Sequence, residues 1–222
     1  MVETKIIILD QQEIVYKIHY KRIKNCYLRV EKGEVVIRCS PLFPQSEIEK
    51  LIRNHQEEIL EQIKGYVPKY NYQEDGYVYL FNQKYQIVLK DMNIKKCAIH
   101  DRQIYVYSKN IQATIEMFLK QELMNYLKER IDFYLSTSFH HVFPEIQIKK
   151  MKRRWGACFY QKNRVCFNLV LAHIDYALID YVIVHELCHF IEANHSKAFY
   201  HEIEKRMPDY KERERLLKDV GI

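Results

Sequence analysis

The sequence has little of what marks a disordered, exported or membrane-spanning chain. Only five of its 222 residues are Gly and five are Pro, too few for long flexible or low-complexity segments. No apolar run approaches the roughly 20 residues that a membrane helix requires. The first apolar run, Ile6 to Leu9, is short and flanked by charges, unlike the core of a signal peptide. We therefore expect a cytoplasmic protein that makes no membrane contact.

Cysteine is present, but without the spacing of a zinc ribbon. No two of the six cysteines form a C-x-x-C pair. A chain of this length does not need disulfide bonds for stability, so we expect reduced and mostly buried thiols. The net charge of +6 permits contact with nucleic acid without requiring it. The cysteines are Cys26, Cys39, Cys97, Cys158, Cys166 and Cys188.

The residues that are present predict an α+β protein with a β-rich first half. Stretches of alternating apolar, β-branched and aromatic residues predict strands, and Gly33 and Asn82-Gln83 predict hairpin turns. One helix is expected among these strands. Its start is predicted by Ser46 and Glu49, which have the spacing of a capping box and precede an apolar stripe at helical spacing.

The second half is predicted to be mainly helical. A long helix is expected over about 110–137 and another over Ile174–Ile191. A last helical pattern over 197–218 is interrupted near Pro208. Between the first two helices, the residues from Arg164 to Leu171 predict a strand.

His185-Glu186-Leu187-Cys188-His189 is an H-E-x-x-H pattern inside a strongly apolar segment. Residues four apart on a helix lie one above the other, so His185 and His189 can reach one metal ion. Glu186 points about 100° away and can instead hold a water on the ion and take its proton. The alternative is a helix whose polar side merely faces water. Histidines and a glutamate in so apolar a helix would be costly without partners, which favours the metal site.

A third ligand is needed, because a catalytic zinc has three protein ligands and an open position for water. His195 follows His189 after a short turn and is the favoured candidate. His201 is a rival, and Cys158 is a second one, because some H-E-x-x-H hydrolases use an upstream cysteine. With three histidines, zinc would lower the pKa of its water to about 7 and Glu186 would deprotonate it.

Three stretches of the chain resemble the YgjP-like zinc metallopeptidase family, which is related to the SprT-like and WLM proteases of the zincin class. Two positions depart from the family pattern: Ala157 stands where the family has Ser, and Tyr200 where it has Trp. The stretches are RRWGACFYQKNRVCFNLVL, IDYVIVHELCHFIEANHSKAFY and MPDYKERERLL.

The resemblance implies a zinc-dependent metallopeptidase that hydrolyses peptide bonds. It implies one Zn²⁺ per chain on His185, His189 and His195, with Glu186 as the catalytic base. We accordingly divide the chain into a β-rich N-terminal region, 1–108, and a zincin-like metallopeptidase domain, 109–222. The expected substrate is a protein or peptide, bound in an extended form.

Three further features have a functional and a structural interpretation. Phe167 and Asn168 lie in the predicted strand, which either binds substrate as an exposed sheet edge or belongs to the core. Tyr210 either stabilises the oxyanion or packs as an ordinary tyrosine. The basic run Lys149–Arg154 either contacts nucleic acid or is a solvated strand and turn.

The alternative function comes from a different class. The chain would be a nucleic-acid-binding or partner-binding protein with a structural zinc. A fourth protein ligand, Cys158 or His201, would close the site and favour this alternative.

Overall fold

A computed structural model describes residues 2–31, 33–66, 68–92 and 94–221 of the chain. Within these ranges the chain forms three sheets and six α-helices, which confirms the α+β class. The chain divides into two compact units, and the division falls in the sequence between Pro68 and Lys69. In the described ranges, no helix combines the length and the apolar character needed to cross a bilayer.

The first unit contains a four-stranded sheet with the order β1-β2-β4-β3. Alternate residues of each strand face one side, where Tyr16, Ile18 and Ile37 are buried. Gly33, at a φ of +75°, lies in the turn of the β3–β4 hairpin, directly before β4, as predicted; its neighbour Lys32 lies outside the described residues. The strands are β1 (Val2–Leu9), β2 (Gln12–Tyr20), β3 (Tyr27–Glu31) and β4 (Glu34–Cys39).

Two consecutive helices, α1 (Gln45–Asn54) and α2 (Gln56–Gly65), replace the single helix expected in this unit. They are separated at His55, whose Nδ1 lies 3.0 Å from the Leu51 carbonyl oxygen. Because the ring contacts the Leu51 carbonyl oxygen, the His55 amide donates to the Ile52 oxygen instead. The series of i to i−4 hydrogen bonds of the α-helix is interrupted there.

The predicted capping box is wrong. Helix α1 begins one residue before Ser46, with Pro44 at the N-cap and no side-chain cap bond. Glu49 does not reach back to the Ser46 amide, because it accepts a 2.7 Å hydrogen bond from the side chain of Gln45.

The second unit begins with a five-stranded sheet, in the order β5-β6-β7-β9-β8. Phe81 and Asn82 form the β6–β7 turn with φ of +48° and +64°, one residue earlier than the sequence indicated. A two-residue turn with positive φ matches the twist of antiparallel strands. The strands are β5 (Tyr70–Asn71), β6 (Tyr77–Leu80), β7 (Gln83–Leu89), β8 (Lys96–His100) and β9 (Gln103–Tyr107).

Helix α3 (Ile111–Thr137) follows this sheet and shares its hydrophobic core. Leu119 and Leu123 of α3 are fully buried in the same cluster as Ile87 and Ile104 of the sheet. Because of this shared core, the sheet and α3 belong to the same compact unit, which begins at Lys69. The functional division after residue 108 stays a prediction.

The remaining elements of the second unit surround helix α4. The small sheet has the order β10-β12-β11, with β12 parallel to β10 and antiparallel to β11. Strand β12 ends at Asn168, earlier than predicted, because the Asn168 side chain accepts a hydrogen bond from the Val170 amide and the chain turns. The break near Pro208 is confirmed. The elements are β10 (Glu145–Lys149), β11 (Gly156–Phe159), β12 (Arg164–Asn168), α4 (Tyr176–Cys188), α5 (Lys197–Arg206) and α6 (Tyr210–Val220).

Candidate metal centre and active-site cleft

Helix α4 presents two histidines on one side of an otherwise buried segment. The helix starts at the N-cap Asp175, whose side chain accepts a 2.8 Å hydrogen bond from the Ala177 amide. His185 lies in its last turn, and His189 is the C-cap residue with φ −67° and ψ −14°. Because the C-cap is still helical in φ and ψ, the i, i+4 relation between the two imidazoles is preserved.

His195 reaches the same point from the turn between α4 and α5. Its Nε2 lies 3.0 Å from the Nε2 of His185, and one ligand atom from each of the three histidines falls within 4.8 Å of the others. The turn is anchored by Ser196, whose hydroxyl accepts from the Phe199 amide at 3.2 Å as the N-cap of α5. The predicted set of His185, His189 and His195 is therefore a cluster that could hold a metal ion.

The hydrogen bonds and pKa values of the cluster suit metal ligation. Nδ1 of His189 lies 3.2 Å from the Glu192 carbonyl oxygen, which can only accept, so this nitrogen carries the hydrogen and Nε2 is free. Burial, and then the charges of the other two histidines, lowers the pKa of His185 to about 3. Neutral imidazole is the form that binds metal. Nδ1 of His185 is buried and has no hydrogen-bond partner among the described residues.

Phe199 supports all three imidazoles, and the sequence reasoning gave it no role. Its fully buried ring lies 5.0, 4.6 and 4.8 Å from the ring centroids of His185, His189 and His195. The spacing N-H-S-x-x-F was the available signal, since it places this residue one helical turn after the Ser196 cap. A rigid apolar ring beneath the ligands limits their rotation.

Glu186 lies beside the cluster, against strand β11. Its side chain accepts a hydrogen bond from the backbone amide of Cys158. A Cβ added at Gly156 would come within 2.5 Å of the Glu186 Oε1, so the carboxylate can occupy this place only because residue 156 is glycine. Burial raises the pKa of Glu186 to about 8, against the lowering effects of the Cys158 amide and the charge of Arg154.

The histidines and Glu186 open into a cleft of about 600 Å³. One wall is strand β11 with Trp155, and another is helix α6, through Glu214, Leu217 and Lys218. A cleft of this size, with titratable groups converging at its floor, has the form of a catalytic site for a small segment of substrate.

Comparison with known proteins supplies the family. The model of the YgjP-like metallopeptidase domain matches residues 24–220. The chain belongs to the YgjP-like metallopeptidase family. The match spans both units, so the resemblance noted for the last third of the sequence extends through most of the chain. No curated protein matches it.

Two solved structures are similar to part of this YgjP-like chain. One is the crystal structure of the metallopeptidase zymogen of Pyrococcus abyssi abylysin, with a TM-score of 0.39 and 17% identity, covering 42% of this chain and 94% of that one. The other is the metallopeptidase zymogen of Methanocaldococcus jannaschii jannalysin, with a TM-score of 0.38 and 24% identity, covering 42% and 96%.

The predicted substrate edge is wrong for the strand that carries Phe167 and Asn168. Strand β12 is the central strand of its sheet, so both of its edges are already paired. Phe167 and Asn168 are fully buried. Asn168 has a structural role instead, because its amide donates to the carbonyl oxygens of Met151 and Arg154, both at 2.8 Å. The edge strand beside the cleft is β11.

Tyr210 lies in the core, as its structural interpretation predicted. It is buried and stacks on Tyr200 at 6.2 Å, and it does not line the cleft. Within the described part of the chain, the tyrosines that line the cleft are Tyr160 and Tyr181.

The rival ligands lie outside the histidine cluster. Among the described residues, the group able to hold a metal includes neither Cys158 nor His201. Cys158 lines the cleft, but burial and then the charge of Glu186 raise the pKa of its thiol to about 12, which disfavours the thiolate that binds metal. His201 is exposed on α5. All six cysteines are free thiols.

The basic run Lys149–Arg154 has no single orientation or role. Lys150 forms a 2.6 Å ion pair with Glu116 of α3, whereas Lys152 and Arg153 are exposed. Arg154 lines the cleft beside Glu186. Contact of this run with nucleic acid stays a prediction.

Proposed function

We propose that this protein is a zinc-dependent metallopeptidase that hydrolyses peptide bonds. In this proposal His185, His189 and His195 hold the zinc, and Glu186 is the general base. The observation that carries the proposal is the convergence of the three histidines and one buried carboxylate at the floor of one cleft, next to a free sheet edge. Membership of a metallopeptidase family supports it.

The donor set fits zinc. Three imidazole nitrogens leave a fourth tetrahedral position open, which is the arrangement of catalytic rather than structural zinc sites. The Nε2 atoms of His185 and His195 lie 3.0 Å apart, so their lone pairs would repel unless both bind one cation or the two nitrogens share one hydrogen. The low pKa of His185 keeps its ring neutral at physiological pH, as a ligand requires. We expect about one Zn²⁺ per chain.

Zinc at this position would supply a Lewis acid that polarises the scissile carbonyl, lowers the pKa of a bound water and stabilises the oxyanion. Glu186 in its ionised form takes the proton from the attacking water and later gives it to the leaving amine. The backbone amide of Cys158 and the close contact with Gly156 hold the carboxylate in one orientation for both transfers.

The substrate is an extended stretch of protein or peptide. Strand β11 pairs on one side with β12, and its other side faces the cleft. An extended chain can add to that free edge by backbone hydrogen bonds, which would place its carbonyl groups above the histidines. Such binding favours unfolded segments over folded ones.

Zinc content and hydrolysis together test the proposal. Elemental analysis of the purified native chain should give about one zinc per chain, and His195→Ala should retain much less, because the ligand set falls to two. His195 is exposed, so the variant should remain folded by circular dichroism. His201→Ala, on the next helix, is the matched control and should keep its zinc.

The native chain should also cleave a chemically unfolded, fluorescently labelled protein, and a zinc chelator should stop the cleavage. Zinc that stays bound to His195→Ala, or well-folded native protein that takes up no zinc when it is supplied, would contradict the site. Tight zinc without any hydrolysis would favour the structural-zinc alternative.

A further inference from the structure

The charged side chains of the cleft walls are not evenly paired. On helix α6, Lys218 and Glu214 form an ion pair at 3.1 Å and largely neutralise each other. Opposite them, Arg154 lines the cleft, and its side chain makes no hydrogen bond or ion pair among the described residues. Of the cationic side chains that line the cleft in the described part of the chain, Arg154 is therefore the one without a hydrogen-bond or ion-pair partner.

The backbone of Arg154 is held in place although its side chain is exposed. The fully buried Asn168 donates from Nδ2 to the Arg154 carbonyl oxygen at 2.8 Å, and the same nitrogen donates to Met151 at 2.8 Å. Oδ1 of Asn168 accepts from the Met151 amide at 3.2 Å. The next residue, Trp155, is tied to β12 because its carbonyl oxygen accepts from the Asn168 amide at 2.8 Å. Buried Asn168 therefore holds the backbone of the turn from Met151 to Trp155, while the side chain of Arg154 lines the cleft.

We infer that Arg154 forms a carboxylate-binding subsite of the cleft, which selects peptides carrying a negative charge near the bond to be cleaved. Guanidinium binds carboxylate through two parallel hydrogen bonds, and such charge-assisted bonds are stronger than neutral ones. Lys152 and Arg153 are exposed nearby and add to the positive field that an anionic peptide meets. The inference deepens the proposed function and rests on it, because it concerns the substrate of the same cleft.

The carboxylate can come from an acidic side chain or from the C-terminus of the peptide. Both present the same group to Arg154, so the experiment separates them with three peptides. The first is a short alanine-and-leucine peptide with both ends blocked. The second set carries one Glu, placed at each position in turn, with both ends blocked. The third is the first peptide with a free C-terminal carboxylate.

Binding is measured without turnover, so that the result does not depend on hydrolysis. Trp155 is the only tryptophan of the chain and lies beside Arg154 in the cleft wall, so its fluorescence reports occupancy. Zinc-loaded full-length protein carrying Glu186→Gln is titrated with each peptide at physiological salt. The same background then receives Arg154→Gln, Arg154→Lys or the matched control Arg153→Gln, which removes an equal charge outside the cleft.

At least one carboxylate peptide should bind about tenfold more tightly than the neutral peptide. Arg154→Gln should abolish this preference, Arg154→Lys should keep part of it, and Arg153→Gln should leave it nearly unchanged. A Glu peptide showing the preference would indicate an acidic side chain as ligand, and the free-acid peptide would indicate the C-terminus.

The inference is overturned if neither kind of carboxylate peptide binds more tightly than the neutral one, or if the preference survives Arg154→Gln. Hydrolysis by the native chain is measured separately. Failure of hydrolysis with an intact, Arg154-dependent preference would reject the proposed function and leave the subsite standing.

Discussion

Helix α4 carries buried polar groups on two of its sides, and these groups differ in how many hydrogen-bond partners they have. Towards α3, Asp180 accepts hydrogen bonds from Tyr126 at 2.8 Å, from Tyr134 at 3.1 Å and from Arg130 at 2.6 Å. Towards α5, His185 has a buried Nδ1 without a partner among the described residues, and its Nε2 faces another imidazole.

The first arrangement is structural, whereas the second fits the proposed metal site. The Asp180 carboxylate has its charge matched by Arg130 and its lone pairs filled by donors, so nothing further is needed to stabilise it. The hydrogen bond to Asp180 in turn raises the pKa of Arg130. The histidine cluster, by contrast, contains a buried nitrogen, Nδ1 of His185, that has no hydrogen-bond partner among the described residues, and such an atom calls for an explanation such as a bound ion.

The strongest effect is expected from a substitution at Glu186, on the histidine side of α4. Glu186→Gln should lower the rate of peptide hydrolysis by about 100-fold or more, because the variant cannot accept the proton of the attacking water. Zinc content and the urea unfolding midpoint should stay close to those of the native chain. The rate is measured on an unfolded labelled protein, with Glu204→Gln, an exposed glutamate on α5, as the control. Native activity in the Gln variant would exclude Glu186 as the base.

A second substitution removes the ion pair between Arg130 and Asp180 on the other side of α4. Arg130→Met should reduce the free energy of unfolding by about 3 kcal/mol, because the buried Asp180 loses its counter-charge. The folded variant should still bind about one zinc per chain. Urea titration measures the loss, and Arg215→Met is the control, since it removes an exposed pair to Asp219 and should cost less than about 1 kcal/mol. If Arg130→Met lost less than about 1 kcal/mol of unfolding free energy, Asp180 would not need its counter-charge. If the folded variant lost its zinc, the Asp180 and histidine sides of α4 would not be independent.

A third substitution displaces Glu186 without altering any of the histidines. Gly156→Ala places a Cβ within 2.5 Å of the Glu186 Oε1, so the carboxylate must move. We expect about a tenfold or greater loss of rate and a stability loss of about 1–2 kcal/mol, with zinc retained. Gly65→Ala has no atom within 4 Å of the new Cβ and should change neither quantity much. An unaffected rate would mean that the position of Glu186 is not critical.

Local spacing predicted those parts of the site that lie close together in the chain. The apolar pattern indicated α3 and α4; their N-caps, Asn110 and Asp175, were not predicted. The i, i+4 relation of His185 and His189 follows from helix geometry alone, and the short turn to His195 left few other places for that residue. The family, too, was recognisable from three stretches of residues.

Other features depended on contacts between distant residues. Periodicity predicted a strand from Arg164 to Leu171, but it did not predict that this strand lies between β10 and β11. That position makes β11 the edge strand and buries Phe167 and Asn168. Nothing local distinguishes Tyr210 in the core from a tyrosine in the cleft. The place of Phe199 beneath three imidazoles was likewise not predicted.

Residues close together in the chain were therefore enough to predict the histidine pattern that could hold a metal and the helix that carries it. The family was recognisable because each of its three stretches is a short continuous run of residues. Three features depend on the tertiary structure instead. They are the edge position of β11, the contact of Glu186 with Gly156, and the core that the β5–β9 sheet shares with α3. Those outcomes are set by strand order and by packing between residues far apart in the chain, and hydrophobic periodicity carries no information about either.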